Sequence, residues 1–192
     1  MTEITESLVL AARRGDDAAC RAIVEALHRP IIATIYRFLG TGYRREIEDL
    51  AQEVFLKVFR AIDKFDPKRA KFTTWVWTFV RNHCYDVLKR RRLKTTSLSP
   101  VRDEPARDFV DRRELQPTQD AENAELGRRI GEALASLGDD QRMVFVLREY
   151  EELDYDEIAE ITGVNAGTVK SRLFRAKESL RERLRPYLEA ST

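Results

Sequence analysis

Apolar residues recur at three- and four-residue spacing along most of the chain, and this period predicts helices. Residues 7–14 read as a short helix that stops at Gly15. Asp16 or Asp17 can cap the next helix, whose apolar positions include Ala19, Ile23, Leu27 and Ile31. Pro30 is expected to kink or divide it, because proline lacks the amide proton that the helix interior needs. The pattern resumes over residues 31–39 and Gly40 ends it. Residues 47–62 form a third helix with Leu50, Val54 and Val58 on one stripe and Phe55 and Phe59 beside it. Residues 63–72, with Pro67 and several lysines and arginines, read as a loop. Thr73 or Thr74 then opens a long helix to about Arg92, with Trp75, Phe79 and Leu88 among its apolar positions.

The period lapses over residues 93–125, where Ser-Pro, Glu-Pro and Gln-Pro steps sit among many charges and few large apolar side chains. This stretch reads as a linker. Beyond it Ile130, Ala133, Leu134 and Leu137 form a stripe ending near Gly138. Residues 141–149 form a second helix, and a third opens at Asp154 or Tyr155 and stops at Gly163. A fourth runs from Ala166 to about Leu184, bounded by Pro186. No strand and no internal repeat is visible. The expected architecture is all-α: two small helical domains, residues 1–95 and 126–192, joined by an extended acidic linker over residues 96–125.

Charge sharpens this division. The formal net charge is only +1, yet residues 1–99 carry +7, residues 100–125 carry −4, residues 126–165 carry −6 and residues 166–192 carry +4. Two basic blocks suited to phosphates are thus separated by an acidic stretch. Cys20 and Cys84 are too few and too far apart for a disulfide framework, and with His28 and His83 they make no metal-ligand pattern. No glycine-rich phosphate loop or nucleophile constellation is present, so neither catalysis nor a cofactor or metal is expected. Acid pairs such as Asp139-Asp140 and Glu151-Glu152 read as helix caps and solvated faces. No apolar run approaches the roughly 20 residues that span a bilayer, and the acidic start lacks a signal peptide's basic region, so a soluble, cytoplasmic protein is expected.

Residues 155–174 have the spacing of a DNA-reading helix-turn-helix. Ala159 allows close crossing of the second helix, and Gly163 can take the positive φ of the turn. Val164, Val169 and Leu173 can pack on Ile158 and Ile161. The second helix then exposes Thr168, Lys170, Ser171, Arg172 and Arg175, whose side chains suit phosphates and base edges in a major groove. An ordinary helical hairpin with a basic outer face is the plainer alternative.

The order of the two blocks carries a resemblance. Residues 49–55 (Asp-Leu-Ala-Gln-Glu-Val-Phe), Phe65, residues 72–75 (Phe-Thr-Thr-Trp), Arg81-Asn82 and the basic run 89–92 closely resemble region 2 of bacterial sigma factors. Residues 130–184 resemble region 4 of the same proteins. The pair, joined only by the linker, looks like the extracytoplasmic-function (ECF) group. The resemblance implies a factor that binds the RNA polymerase core and directs initiation at −10 and −35 promoter elements. It implies that the 47–62 helix meets the clamp helices of the β′ subunit through Asp49, Gln52 and Glu53, with Phe55 either beside them or in the core. It implies −10 contacts from Lys64, Lys68, Arg69 and Lys71, with Phe65 or Phe72 as a stacking face or as core. Trp77 is a further candidate there, for DNA or polymerase, since it lies about 200° around the helix from a core Trp75. Arg81, Asn82, Tyr85 and Lys89 are candidates on one side of the same helix. Thr168, Lys170, Ser171, Arg172, Phe174 and Arg175 are assigned to the −35 element. Residues 126–150 face the β-flap tip, the linker threads toward the RNA exit path, and an anti-sigma protein is an expected partner. The rival readings are a free-standing helix-turn-helix regulator, an enzyme, or a polymerase adaptor that reads no DNA.

Overall fold

The computed structural model describes residues 4–97 and 117–190, and within them every regular element is helical. Helix α1 spans Glu6–Arg13 and starts where the Thr5 hydroxyl accepts the Leu8 amide. Helix α2 spans Asp17–Leu39, capped by Asp16, whose carboxylate accepts the Ala19 amide at 3.0 Å. Pro30 lies inside α2 without dividing it. The stripe Ile23, Leu27, Ile31, Ile35 and Phe38 is buried on both sides of the proline. That continuous burial offsets the one backbone bond proline forgoes.

Gly40, at φ +83°, ends α2 in a conformation that other residues rarely adopt. Helix α3, Ile47–Ala61, follows, then a short 3₁₀ turn at Ile62–Lys64, the loop, and helix α4, Phe72–Ser97. Val54, Val58, Val76 and Val80 are at most 1% exposed where α3 and α4 meet α2. These four helices form the first unit.

The second unit comprises α5 (Pro117–Ala135), α6 (Asp139–Glu149), α7 (Tyr155–Thr162) and α8 (Ala166–Ala190). Asp154 and Glu157 form a reciprocal capping box at the start of α7. Gly163 takes φ +70°, as the turn requires. Ile158, Ile161, Val169 and Leu173 share one core, and Ala133, Leu134, Leu137, Ala176 and Leu180 pair α5 with α8.

Three boundaries differ from expectation. Helix α5 begins at Pro117, inside the stretch read as linker, and α4 reaches Ser97. Early α5 has no apolar stripe to betray it. Proline suits a first helical position, and Glu125 pairs with Arg128 and Arg129 while Arg128 also pairs with Glu132 along one exposed face. These guanidinium partners hold the Glu125 carboxyl down at about 2. Helix α8 likewise continues through Pro186, near its exposed end. The rest of the expected linker, residues 98–116, lies outside the described residues.

The units are not beads on a string. α2 packs on α5 and α6, and α4 packs on α7. Met143, Val144, Leu147 and Ile158 join the same buried cluster as Ile35, Phe38 and Val80. Polar bonds stitch this seam. Arg142, 7% exposed, donates to the Phe38 carbonyl at the end of α2 (2.7 Å) and to the Ala135 and Leu137 carbonyls at the end of α5 (2.6 and 2.9 Å). The buried Thr34 hydroxyl donates to Glu151 at 2.6 Å, and Thr74 donates to Glu157 at 3.2 Å. Glu151 is therefore a half-buried partner across the seam, its side chain 9% exposed, and not part of a solvated face. The sequence pattern shows its acid neighbours and not its packing.

Candidate nucleic-acid and polymerase interfaces

Helix α3 turns one face to the core and the other outward. Asp49, Gln52 and Glu53 are exposed on the outer face. Phe55 is 7% exposed and belongs to the core, stacked 6.4 Å from Phe59, so its place in the contact surface is corrected. Leu56, one helical turn beyond Gln52 and Glu53, is 54% exposed on the outer stripe. The sequence carried its signal: an aliphatic residue seven positions after Asp49, in phase with the polar stripe.

The loop before α4 is pinned from beneath. Phe65 and Phe72 meet edge to face at 5.2 Å, Trp75 lies 5.5 Å from Phe65, and Phe79 lies 4.7 Å from Trp75. Phe65 and Phe72 are buried, so they are core residues and offer no stacking face to solvent. Above this aromatic floor Lys64, Lys68, Arg69 and Lys71 are all exposed. The Asp66 carboxylate accepts the Lys68 amide at 3.0 Å and tightens the turn that carries them.

Trp77 is 4% exposed, and this corrects its assignment as a surface contact. Trp75 is the half-buried one. Val76, Val80, Cys84 and Val87 define the inner stripe of α4, and Trp77 falls beside it, whereas Trp75 sits toward the loop. Arg81 and Asn82 lie side by side, with an Arg81 Nη1 donation to Asn82 Oδ1 at 2.8 Å. The Arg81 guanidinium sits 4.7 Å over the Tyr85 ring, and Lys89 is exposed a turn further on. Burial and a hydrogen bond to Asp140 push the Tyr85 hydroxyl well above the usual phenol range, so it stays protonated and donates.

Acidic residues of the second unit lie against this basic face. Lys71 Nζ is 2.9 Å from Glu157, the Tyr85 hydroxyl is 2.8 Å from Asp140, and Arg92 is 2.7 Å from Asp139. Arg172 of α8 also reaches Asp140. The carboxylates come from the first turns of α6 and α7, where the helix dipole favours negative charge.

The outer face of α8 is different. Asn165 caps the helix by accepting the Thr168 amide at 2.7 Å and the Thr168 hydroxyl at 3.0 Å. Lys170, Ser171, Phe174 and Arg175 then form one exposed stripe, with Phe174 67% exposed. Lys170 leans over the Tyr155 ring at 5.4 Å, which holds it beside the preceding helix. Thr168 and Arg172 are half-buried at the stripe's edge. This helix follows the αL turn at Gly163 and presents cations, a hydroxyl and an apolar ring outward, the set that a major groove can accept. Among the described residues no cluster of metal-ligating side chains occurs, and no helix is long and apolar enough to cross a membrane.

The comparisons with known proteins fall on these two units. The family model for Sigma-70 region 2 matches residues 23–94, and that for Sigma-70, region 4 matches residues 127–180. The chain is 30% identical over 187 residues to the ECF RNA polymerase sigma-E factor of Escherichia coli, with 94% of each chain covered. It is 32% identical over 190 residues to the RNA polymerase sigma-H factor of Pseudomonas aeruginosa, covering 97% of this chain and 96% of that one. In fold it is similar to Bartonella quintana RpoE solved with the anti-sigma factor NepR (TM-score 0.70, 24% identity, 86% of this chain and 96% of that one). It is also similar to CnrH solved with the cytosolic domain of CnrY (TM-score 0.68, 24% identity, 99% and 100%). Both regions in order, and relatives matched almost end to end, make the conclusion direct: the chain belongs to the sigma-70 family, within its extracytoplasmic-function group.

Proposed function

We propose that this chain carries out sigma-factor work, promoter-specific transcription initiation, by dividing it between an α3 face that docks on core polymerase and two basic faces that hold the promoter. Asp49, Gln52, Glu53 and Leu56 meet the β′ clamp helices, with the exposed leucine supplying apolar area among charges. Lys64, Lys68, Arg69 and Lys71 hold phosphates of the opened −10 strand, and Arg81, Asn82, Tyr85 and Lys89 continue that track along α4. Lys170, Ser171, Phe174 and Arg175 read duplex −35 DNA, and Thr168 and Arg172 steady the backbone. The second unit faces the β flap.

Residues 1–97 and 117–192 act as the two functional modules, joined by residues 98–116. Two weak DNA contacts on one chain give tight promoter binding only when both engage, which ties recognition to the polymerase. The chain binds and positions, works in the cytoplasm, and leaves the chemistry of RNA synthesis to the polymerase. An anti-sigma protein is a fitting partner, since similar folds have been solved with NepR and CnrY.

The observation that carries this reading is the region 2 and region 4 pair in order on one chain. A free-standing helix-turn-helix regulator has no need of the first unit. Run-off transcription with purified core polymerase tests the proposal: transcripts from promoter-bearing templates appear only when this protein is added. Tight duplex binding as a dimer without polymerase, and no stimulation of core, is the outcome that overturns it.

A further inference from the structure

His83 sits on the inner stripe of α4 and is 1% exposed. It does not pack as a mere apolar disc. Its Nδ1 lies 2.7 Å from Lys57 Nζ of α3, and its Nε2 lies 3.6 Å from the Glu53 carboxylate, four residues earlier on the same helix. An ammonium only donates, so Nδ1 must be the acceptor and the ring proton resides on Nε2. That Nε2 has no hydrogen-bond partner and is directed at a carboxylate slightly beyond bonding range.

We infer that His83 is a positioning residue for polymerase docking: from inside the fold its neutral imidazole accepts from Lys57 and holds that ammonium in place beside Glu53 at the edge of the α3 face. The inference rests on the reading of α3 given above. Lys57 is half-buried and follows Leu56, the apolar member of that face, while Glu53 is 52% exposed on its side chain. A long ammonium side chain left free samples many rotamers and loses them on docking. A buried acceptor beneath it fixes the rotamer beforehand.

Four charged groups bear on the ring: Lys57 and Glu53 from α3, and Arg90 and Asp86 from its own helix. Burial, then the Lys57 charge, push the imidazole below its ordinary 6.5. The neutral clamp is thus present at neutral pH and is lost only on acidification through that lowered value, when Nδ1 gains a proton and can no longer accept from Lys57.

The test is equilibrium binding of the full chain to purified core polymerase, followed by fluorescence anisotropy. His83→Leu and Lys57→Met should each weaken binding by about fivefold, the scale of one lost hydrogen bond. The double variant should be no weaker than either single one, because both remove the same link. His83→Asn, whose amide oxygen can still accept from Lys57, should bind within about twofold of wild type. Wild-type affinity should fall as pH drops through the lowered His83 value while that of His83→Asn stays level.

Wild-type affinity in His83→Leu, multiplying losses in the double variant, or the same acid profile in His83→Asn each overturns the inference. Lys57→Met changes a half-buried side chain rather than a core one and keeps the test valid if the buried leucine unfolds the protein. Asp49→Lys with Leu56→Asp separates the two levels. If that pair leaves core affinity unchanged, the α3 docking face itself is wrong. If it weakens binding while His83→Leu does not, only the role of His83 falls.

Discussion

The two surfaces assigned to DNA differ in what lies against them. On α8, Lys170, Ser171, Phe174 and Arg175 face outward along one stripe. On the first unit, Lys71, Tyr85 and Arg92 are bonded to Glu157, Asp140 and Asp139 of the second. Each of these acceptors is a carboxylate at the start of a helix, the same charge and hydrogen-bonding type as the phosphate these donors would otherwise hold. On the proposed reading, the Lys170–Arg175 stripe of the −35 face is open as it stands, with Arg172 at its edge bonded to Asp140, whereas several donors of the −10 face are covered by carboxylates of α6 and α7.

The largest effect should come from reversing charge on the open face. Lys170→Glu or Arg175→Glu places a carboxylate against phosphates or base edges, and −35-dependent initiation should fall by roughly 100-fold or more in run-off assays. Core binding should be unchanged, because α3 is untouched. Loss of core binding instead would mean that α8 is a polymerase surface and that the contrast between the two faces is misdrawn.

Next comes the clamp that keeps the second face covered. Arg142→Ala removes a guanidinium that joins the ends of α2 and α5, leaving the Phe38, Ala135 and Leu137 carbonyls short of their donor. Buried acceptors without partners make this cost about 3 kcal/mol of stability. Thermal unfolding should show it, and hydrogen exchange should rise along both the α2 and α6 sides of the seam. A variant as stable as wild type would show that the Arg142 bonds do not hold the seam.

Most of the helices were legible because burial on one face writes a period into the sequence: Leu50, Val54 and Val58 in α3, and Ile158 and Ile161 in α7. The helix-turn-helix was legible because its turn demands a residue at positive φ and Gly163 supplies it. The missing parts follow one rule. Arg142 stands in the buried register of α6 beside Met143 and Val146, and its charge hid its burial. Early α5 gives no apolar period, and the ion pairs that join Glu125 to Arg128 and Arg129 further along leave no such mark either. Trp77 is buried although it lies far around the helix from Trp75, because α4 is packed over a wide arc by α2, α3 and α7. Contacts across the seam, such as Thr34 with Glu151, join residues more than a hundred positions apart, which no local pattern records.

A smaller effect is expected from thinning the cover itself. Glu157→Gln keeps the capping box, since glutamine serves at that position, but removes the charge facing Lys71. Asp140→Asn keeps an acceptor for Tyr85 while losing the charge facing Arg172. Exposed pairs are weak, and Lys71 is 74% exposed on its side chain. The double variant should bind a single-stranded −10 oligonucleotide about two- to threefold more tightly than wild type at low salt, with the gain vanishing at high salt. No gain at low salt would show that these carboxylates do not compete with phosphate.

The smallest effect depends on pH and sits at Glu151. Its carboxyl is packed between Thr34 and Arg37, with the Arg37 guanidinium 3.9 Å away and itself lying over the Tyr150 ring at 4.0 Å. Burial raises its pKa above the ordinary 4.5, and the Thr34 bond and the Arg37 charge only partly oppose that. A group with a raised native value binds its proton more tightly when the seam is closed. Its stabilising contribution is complete below the ordinary value and is lost as pH rises through the raised one. Acidification across that window should therefore tighten the seam and cover the −10 face further. Glu151→Gln keeps the oxygen that accepts from Thr34 and carries no charge to bury, so it should melt slightly higher than wild type at neutral pH and lose this part of the pH dependence. If Glu151→Gln instead melts lower at neutral pH, the Arg37 attraction outweighs burial. The carboxylate would then be a net fastener of the closed seam, and the −10 face would be held covered by charge as well as by packing.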